Sequence, residues 1–319
     1  MRQVVLLTTG GTIASTTNES GKLVAGELTG EELADLCGLP KDIQVTIHSV
    51  LQKPSMHITT DDWRQLQQEV KRAFLDPEVC GVVVTHGTDT LEETAYFLEL
   101  TNTDERPVIV TGSQRGPEQL GSDAFMNLRH AIYAACEPQL RGTGCVVVFN
   151  ERIFAAKYVK KEHASNLQGF NAFGFGYLGI IDNDEIFIYQ KPVHRDCYGL
   201  GPGRLARIGI AKVYLGMEAE TLEVMLETMD GLILEGVGRG QVPPALVGPV
   251  ERALKKGMPI VMTTSSEEGK VYPTYAYAGS AHDLQQRGVI LGSDYDSKKA
   301  RIKLMVMQTA HANLANGFV

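Results

Sequence analysis

This 319-residue sequence lacks the short signatures that would tie a chain to a metal, a disulfide framework, a membrane or a nucleic acid. Its five cysteines, Cys37, Cys80, Cys136, Cys145 and Cys197, are odd in number and widely spaced, and they form no CxxC pair. That excludes a thiolate zinc site and a disulfide framework and predicts reduced, mostly buried thiols. His48, His57, His130 and His163 show no HxxxH or HExxH spacing, so no metal is expected. The formal net charge is −8 with no basic cluster, so nucleic acid is not an expected partner. After Met1-Arg2-Gln3 only Val4 to Leu7 is apolar before Thr8, too short a run for a secretory segment; the expectation is a cytoplasmic chain with no membrane association. No short-period repeat or low-complexity segment is present.

Phosphate-binding turns are also missing. No Gly-Lys-Ser/Thr follows the glycines near the N-terminus, and Gly236-Val237-Gly238-Arg239-Gly240 does not complete a GxGxxG in the required frame. A nucleotide cofactor is therefore not expected, and a nucleotide-dependent enzyme is the weakest of the readings.

What is present is the composition of an ordinary globular protein, 43% hydrophobic and 21% charged, at a length that favours two domains. Strand-like and helix-like segments alternate. Strands are predicted at Val4 to Leu7, Gln44 to Val50, Gly81 to Val84, Pro107 to Val110 and Cys145 to Phe149. Helices are predicted at Thr29 to Leu36, at Thr60 to Leu75 with Trp63, Leu66, Val70 and Phe74 on one face, at Leu91 to Leu100 and at Asp123 to Ala135. Thr90 and Glu93 stand at capping-box spacing before the third of these. Such alternation argues for a parallel sheet covered on both faces. The glycines around Tyr198 to Arg204 mark a linker. The alternation then resumes through Ile208 to Tyr214, Ala219 to Glu227, Gly231 to Leu234, Pro244 to Lys256, Pro259 to Thr263 and Ser297 to Ala310. The boundaries expected are 1–190, a linker over 191–206, and 207–319.

Two threonine-rich turns each follow a buried strand: Thr8-Thr9-Gly10-Gly11-Thr12-Ile13-Ala14 and Thr85-His86-Gly87-Thr88-Asp89-Thr90. Ligands of open α/β sheets bind beyond the carboxyl ends of strands, so adjacent strands would bring both turns to one crevice. A threonine hydroxyl needs a partner to take its proton before it can attack an acyl carbon. Asp89 supplies a carboxylate beside Thr88, and a lysine with its pKa lowered by burial could be the base. Helix-start and glycine amides suit a substrate carboxylate or an oxyanion. Taken singly, the first turn also fits a plain strand-to-loop turn or a degenerate phosphate loop, Asp89 and Thr90 also fit helix caps, and His86 fits a group that holds backbone.

Together the turns resemble the two signature motifs of the bacterial-type asparaginases: Thr9-Gly10-Gly11-Thr12-Ile13-Ala14, and His86-Gly87-Thr88-Asp89-Thr90-Leu91-Glu92-Glu93-Thr94-Ala95-Tyr96-Phe97-Leu98. The likeness continues at Ser55, Val108 to Gln114, Ser122-Asp123 before Asn127-Leu128, and Lys161-Glu162-His163-Ala164. The resemblance implies an α/β fold with a larger Rossmann-like N-terminal domain, rich in parallel strands, and a smaller flavodoxin-like C-terminal domain. It implies homodimers that pair into homotetramers, with each site between one subunit's first domain and its neighbour's second. It implies hydrolysis of L-asparagine to aspartate and ammonia, with glutamine as a minor substrate and no cofactor. Carried over, Thr12 is the acylating nucleophile, Thr88, Asp89 and Lys161 handle protons, and Gly11, Ser55, Gly87 and Ser113 line the substrate pocket, with peptide groups near Thr88 and Ser113 as oxyanion donors.

One departure stands out. The family places a tyrosine in the loop about a dozen residues after the nucleophile, yet Asn18 to Glu27 contains none, and Lys22 or Leu23 occupies its place. Either another phenol, such as Tyr275 or Tyr277, reaches the site or proton transfer differs. Gly21 and Gly26 would permit that loop to hinge. Two other classes stay open: an amino-acid binding protein of two α/β domains, and an ammonia-supplying amidotransferase subunit, although the latter normally carries an N-terminal extension for which Thr12 leaves little room.

Overall fold

The computed structural model describes residues 1–10, 15–17, 23–25, 35–315 and 317–318. The chain divides into two compact units, Met1–Cys197 and Tyr198–Val319.

In the first unit, β1 (Arg2–Thr8) runs from an exposed end into five consecutive buried residues. A short antiparallel pair follows, β2 (Ser15–Thr17) and β3 (Leu23–Ala25). The strands β4 (Ile43–Ser49) and β5 (Val79–Thr85) flank β1 on either side, both parallel to it. Then β6 (Val108–Thr111) and β7 (Cys145–Phe149) extend the parallel sheet beyond β5. Val82 to Val84, Val108 to Val110 and Val146 to Val148 have no exposed surface, which is why these strands read as unbroken apolar runs rather than as alternation. Each such valine contributes about 1.5–3 kcal/mol by leaving water.

Helices make the crossovers. Thr60–Ala73 connects β4 to β5 and buries Trp63, Leu66 and Val70. Its start is fixed by a reciprocal cap: Asp62 N donates to Thr59 Oγ1 at 3.3 Å and Thr59 N donates to Asp62 Oδ2 at 2.8 Å. Leu91–Thr101 and Ala124–Ala135 follow β5 and β6. The helix expected over Thr29 to Leu36 falls mainly outside the described residues.

Beyond β7 the sheet departs from the parallel pattern. β8 (Arg152–Ala155) turns back antiparallel to β7, and after the small pair β9 (Lys160–Lys161) and β10 (Phe170–Asn171) the strands β11 (Gly179–Asp182) and β12 (Glu185–Ile188) continue the antiparallel edge. The sheet order is β12-β11-β8-β7-β6-β5-β1-β4. Both hairpins turn on two residues in the left-handed region, Asn150 and Glu151 (φ 47° and 62°) and Asn183 and Asp184 (φ 50° and 63°). That is the geometry whose twist matches paired strands.

The second unit carries one parallel sheet, β13 (Ile208–Lys212), β14 (Gly231–Gly236), β15 (Ile260–Thr264) and β16 (Ile290–Leu291), in that spatial order. Its helices are Glu220–Thr228, Val247–Lys255, Ala281–Gln286 and Ser297–Thr309. The mixed α/β architecture of a large, mainly parallel sheet and a separate smaller one is the expected class. The thiols are a partial correction: none is in a disulfide, but only Cys37 and Cys145 are buried, whereas Cys80 and Cys136 are half-buried and Cys197 is exposed. Cys80 sits near the start of β5 and Cys136 at a helix C-terminus.

Candidate active site

The chain order reverses at β1. From there it passes to β4 on one side and then returns across to β5 on the other, so β1 and β5 are the adjacent pair that opens a crevice at their carboxyl ends. Their ends are in register, Thr8 opposite Thr85. Thr9 then closes onto the neighbouring turn, its N–H and hydroxyl both donating to Thr85 O, at 3.2 and 2.9 Å. Gly10 follows at φ 101°, where a Cβ would stand 2.6 Å from the backbone N and O of Lys53, so both conformation and space demand glycine. Gly11 and Thr12, the expected nucleophile, lie outside the described residues.

The second turn is packed from two sides. A Cβ on Gly87 would meet Ser55 Cβ at 2.9 Å and Oγ at 3.0 Å, and one on Gly112 would meet His86 O at 2.5 Å. Ser55, buried at the start of a short 3-10 turn, is thus held against Gly87. The expected capping box at Thr90 is not formed. Thr90 makes no side-chain cap and its hydroxyl instead donates to Ser55 O at 3.0 Å, tying the 52–58 segment to this turn.

Lys161 reaches the same place from β9. Its Nζ donates to Thr88 Oγ1 and to Asp89 Oδ1, each at 2.7 Å. The lysine side chain is 11% exposed and the Asp89 carboxylate 67%, so the pair joins a sheltered nitrogen to a solvent-facing carboxylate. The Lys161 backbone N–H is accepted by the Glu92 carboxylate, itself buried in the first turn of the Leu91–Thr101 helix. Thr88, accepting from Lys161, passes its own hydrogen to Gln114 Oε1 at 3.3 Å.

Ser113 and Gln114 lie on the turn after β6. Asp123 anchors it by accepting from Gln114 N at 3.0 Å and Arg115 N at 2.9 Å. Asn127 donates to Gly112 O at 2.9 Å and to Asp123 Oδ2 at 3.0 Å. Ser113 Oγ and Gln114 Nε2 are buried with no hydrogen-bond partner among the described residues. Unpaired groups of this kind are costly unless a ligand or water completes them, so they mark a pocket wall.

Behind the turn, His86 is 2% exposed. Burial pushes its imidazole down from the usual 6.5 to about 4, against the opposing pull of Gly87 O. The ring holds backbone: Nδ1 lies 2.8 Å from Gly87 O, and Nε2 lies 2.9 Å from Thr94 Oγ1.

The crevice therefore gathers Ser55, Gly87, Thr88, Asp89, Ser113 and Lys161 from the sequence expectation. Gln114 was named there only as the end of a matching segment, and Glu92 and Thr94 only as letters of the motif. No group of three His, Cys, Asp or Glu able to hold a metal occurs among the described residues. A cavity of about 520 Å³ near Arg2, Tyr133 and Glu185 lies by the start of β1, at the opposite strand ends, and contains no hydroxyl–lysine pair.

Comparison with known proteins follows the same division. The model of the N-terminal asparaginase domain matches residues 3–194, and that of the glutaminase/asparaginase C-terminal domain matches residues 207–316. An L-asparaginase of Bacillus licheniformis is 58% identical over 311 residues, 97% of this chain and 96% of its own length. A glutaminase-asparaginase of Pseudomonas aeruginosa is 28% identical over 319 residues, 97% of this chain and 87% of its own. The crystal structure of a probable cytoplasmic L-asparaginase from Campylobacter jejuni superposes with a TM-score of 0.86 at 26% identity, covering 100% of this chain and 99% of the other.

Proposed function

The chain belongs to the asparaginase family, and from that premise we propose that it hydrolyses the side-chain amide of L-asparagine to L-aspartate and ammonia, with L-glutamine as a minor substrate. The observation that carries the chemistry is Lys161 Nζ at 2.7 Å from both Thr88 Oγ1 and Asp89 Oδ1. A hydroxyl bridged to a sheltered amine beside a carboxylate is a group through which a proton can be taken and returned.

In this reading the Thr12 hydroxyl attacks the side-chain carbonyl carbon and its proton passes to the leaving nitrogen, so that the C–N bond breaks, ammonia departs and an ester to Thr12 remains. Water then attacks the ester, giving its proton to the Thr88–Lys161 pair, and the returning proton restores the Thr12 hydroxyl as aspartate is released. Asp89 offsets the lysine charge. Ser55, Gly87 and Gly11 hold the substrate's α-carboxylate end, and Ser113 lines the other side. Asparagine and glutamine differ by one methylene, which a pocket separates by about 1–3 kcal/mol.

The same reading takes the enzyme to be cytoplasmic and a homodimer or homotetramer, with domains at 1–190 and 207–319 and a linker over 191–206. Supporting it, no helix among the described residues is long and apolar enough to cross a membrane, and the family models leave 195–206 unmatched.

Ammonia release tests the activity directly. Wild type should release it from L-asparagine faster than from L-glutamine, while Thr12→Ala, Thr88→Ala and Lys161→Met, each checked for folding by circular dichroism, should lose about a thousandfold or more. A folded Thr88→Ala protein keeping a tenth of the rate would overturn the assignment. No release from wild type would favour amino-acid binding or ammonia channelling.

A further inference from the structure

Three buried side chains behind the turn lead in a hydrogen-bonded series to the half-buried Gly87 carbonyl. The Trp63 indole only donates, and its Nε1 lies 2.8 Å from Thr94 Oγ1, so the threonine oxygen accepts there. The Thr94 hydroxyl then has one hydrogen to give, and His86 Nε2 stands 2.9 Å away. A carbonyl oxygen only accepts, so Nδ1, 2.8 Å from Gly87 O, must carry the ring hydrogen. With the ring kept neutral by its burial, the hydrogen sits on Nδ1 and the bare Nε2 accepts from Thr94.

The consequence falls on the next peptide. In a trans peptide the C=O and the following N–H point in opposite directions. Drawing Gly87 O inward onto His86 therefore turns the Thr88 N–H away from the buried side. That N–H has no acceptor among the described residues. Ser55 closes the other side of Gly87, where even a Cβ would be 2.9 Å from it, so the peptide is gripped at its oxygen and at its α-carbon.

We propose that Trp63, Thr94 and His86 form a relay that fixes the Gly87–Thr88 peptide and so aims the Thr88 N–H as an oxyanion donor. This rests on the amidohydrolase reading above, in which charge develops on the substrate's amide oxygen. All three are positioning residues: they lie behind the turn and act through its backbone. Trp63 and Thr94 sit on different helices, and Trp63 is stacked on Phe97 with ring centroids 5.0 Å apart, so the relay ties the peptide to the packed core rather than to a loop. Loss of a whole oxyanion donor costs about 10²–10³ in kcat, and a donor merely released from its anchor should cost less.

Thr94→Val keeps the shape and removes both of its hydrogen-bond functions. The expected result is a fall in kcat for L-asparagine of about tenfold or more with KM changed less than about threefold, and recovery of kcat in Thr94→Ser. A threonine that mattered only for packing would lower the melting temperature without separating kcat from KM. A folded Thr94→Val enzyme with wild-type kcat overturns the relay. A second measurement needs no folded valine variant: ¹⁵N spectra of the wild-type imidazoles, with His86 assigned by its loss in His86→Gln. Hydrogen on Nδ1 and a bare Nε2 support the relay; hydrogen on Nε2 sinks it. Wild type that releases no ammonia would sink the amidohydrolase reading instead, and the tautomer would still decide whether the peptide is anchored.

Discussion

His86 also has a thermodynamic signature. Its folded-state value of about 4 lies below the ordinary 6.5, so between those limits the unfolded chain holds the extra proton. Its contribution to stability is therefore complete above about pH 6.5, declines as the pH falls, and stops changing below about 4. The full difference is on the order of 3 kcal/mol by linkage. Urea unfolding of wild type and His86→Gln across this range should show wild type losing more stability on acidification, most steeply between pH 5 and 6. Parallel curves would mean that the ring is not held neutral. At this scale the sequence was most informative where a residue belongs to a dense motif: Thr88, Asp89 and Lys161 could be named from their matches and do meet in space. Gln114 and Glu92 could not be given roles, because a single glutamine or glutamate carries no periodicity. Their contacts with Thr88 and the Lys161 backbone arise only after three separate turns are laid side by side.

Among the elements, the parallel strands were legible because complete burial forces unbroken apolar runs, and the Thr60–Ala73 helix because one face must be apolar. The antiparallel edge was not. β8, β11 and β12 are four residues each and partly exposed, too short for periodicity, and the signal available was the turn chemistry at Asn183-Asp184. The capping box failed for a different reason: spacing allowed it, but Glu93 N donates to the Thr90 backbone carbonyl and the Thr90 hydroxyl is turned to donate to Ser55 O, a contact between segments that no local pattern reveals. The turn after β6 offers a test at this scale. Asp123 holds the backbone N–H groups of both Gln114 and Arg115, and removing it leaves them without that acceptor, at about 1–3 kcal/mol for each one that stays buried. Asp123→Ala should lower the melting temperature and raise KM for L-asparagine as Ser113 and Gln114 lose their fixed position. Unchanged KM in a destabilised protein would detach this brace from substrate binding.

The whole molecule bears on the question left by the loop after Thr12. Residues 18 to 27 include no tyrosine, so a phenol assisting the first acyl transfer has to be supplied from elsewhere in the chain or its neighbour. Tyr275 and Tyr277 of the second unit are half-exposed and stacked on each other with centroids 5.6 Å apart, an arrangement that places two hydroxyl-bearing rings at a surface rather than in a core. If the assembly brings that surface to the Thr88 turn of another copy, removing both hydroxyls should lower kcat for L-asparagine by about tenfold or more, while the rings still pack. The double variant Tyr275→Phe/Tyr277→Phe, its mass checked by light scattering, separates the alternatives. A fall in kcat in an intact oligomer supports supply of the phenol by the second unit. Wild-type kcat would mean that proton transfer to the leaving nitrogen proceeds without either of these two phenols. Mixing this variant with Thr88→Ala protein then asks whether the two units of one active centre come from different chains. Activity recovered after dissociation and reassociation requires that they do, because a centre confined to one chain would carry one defect or the other in every subunit.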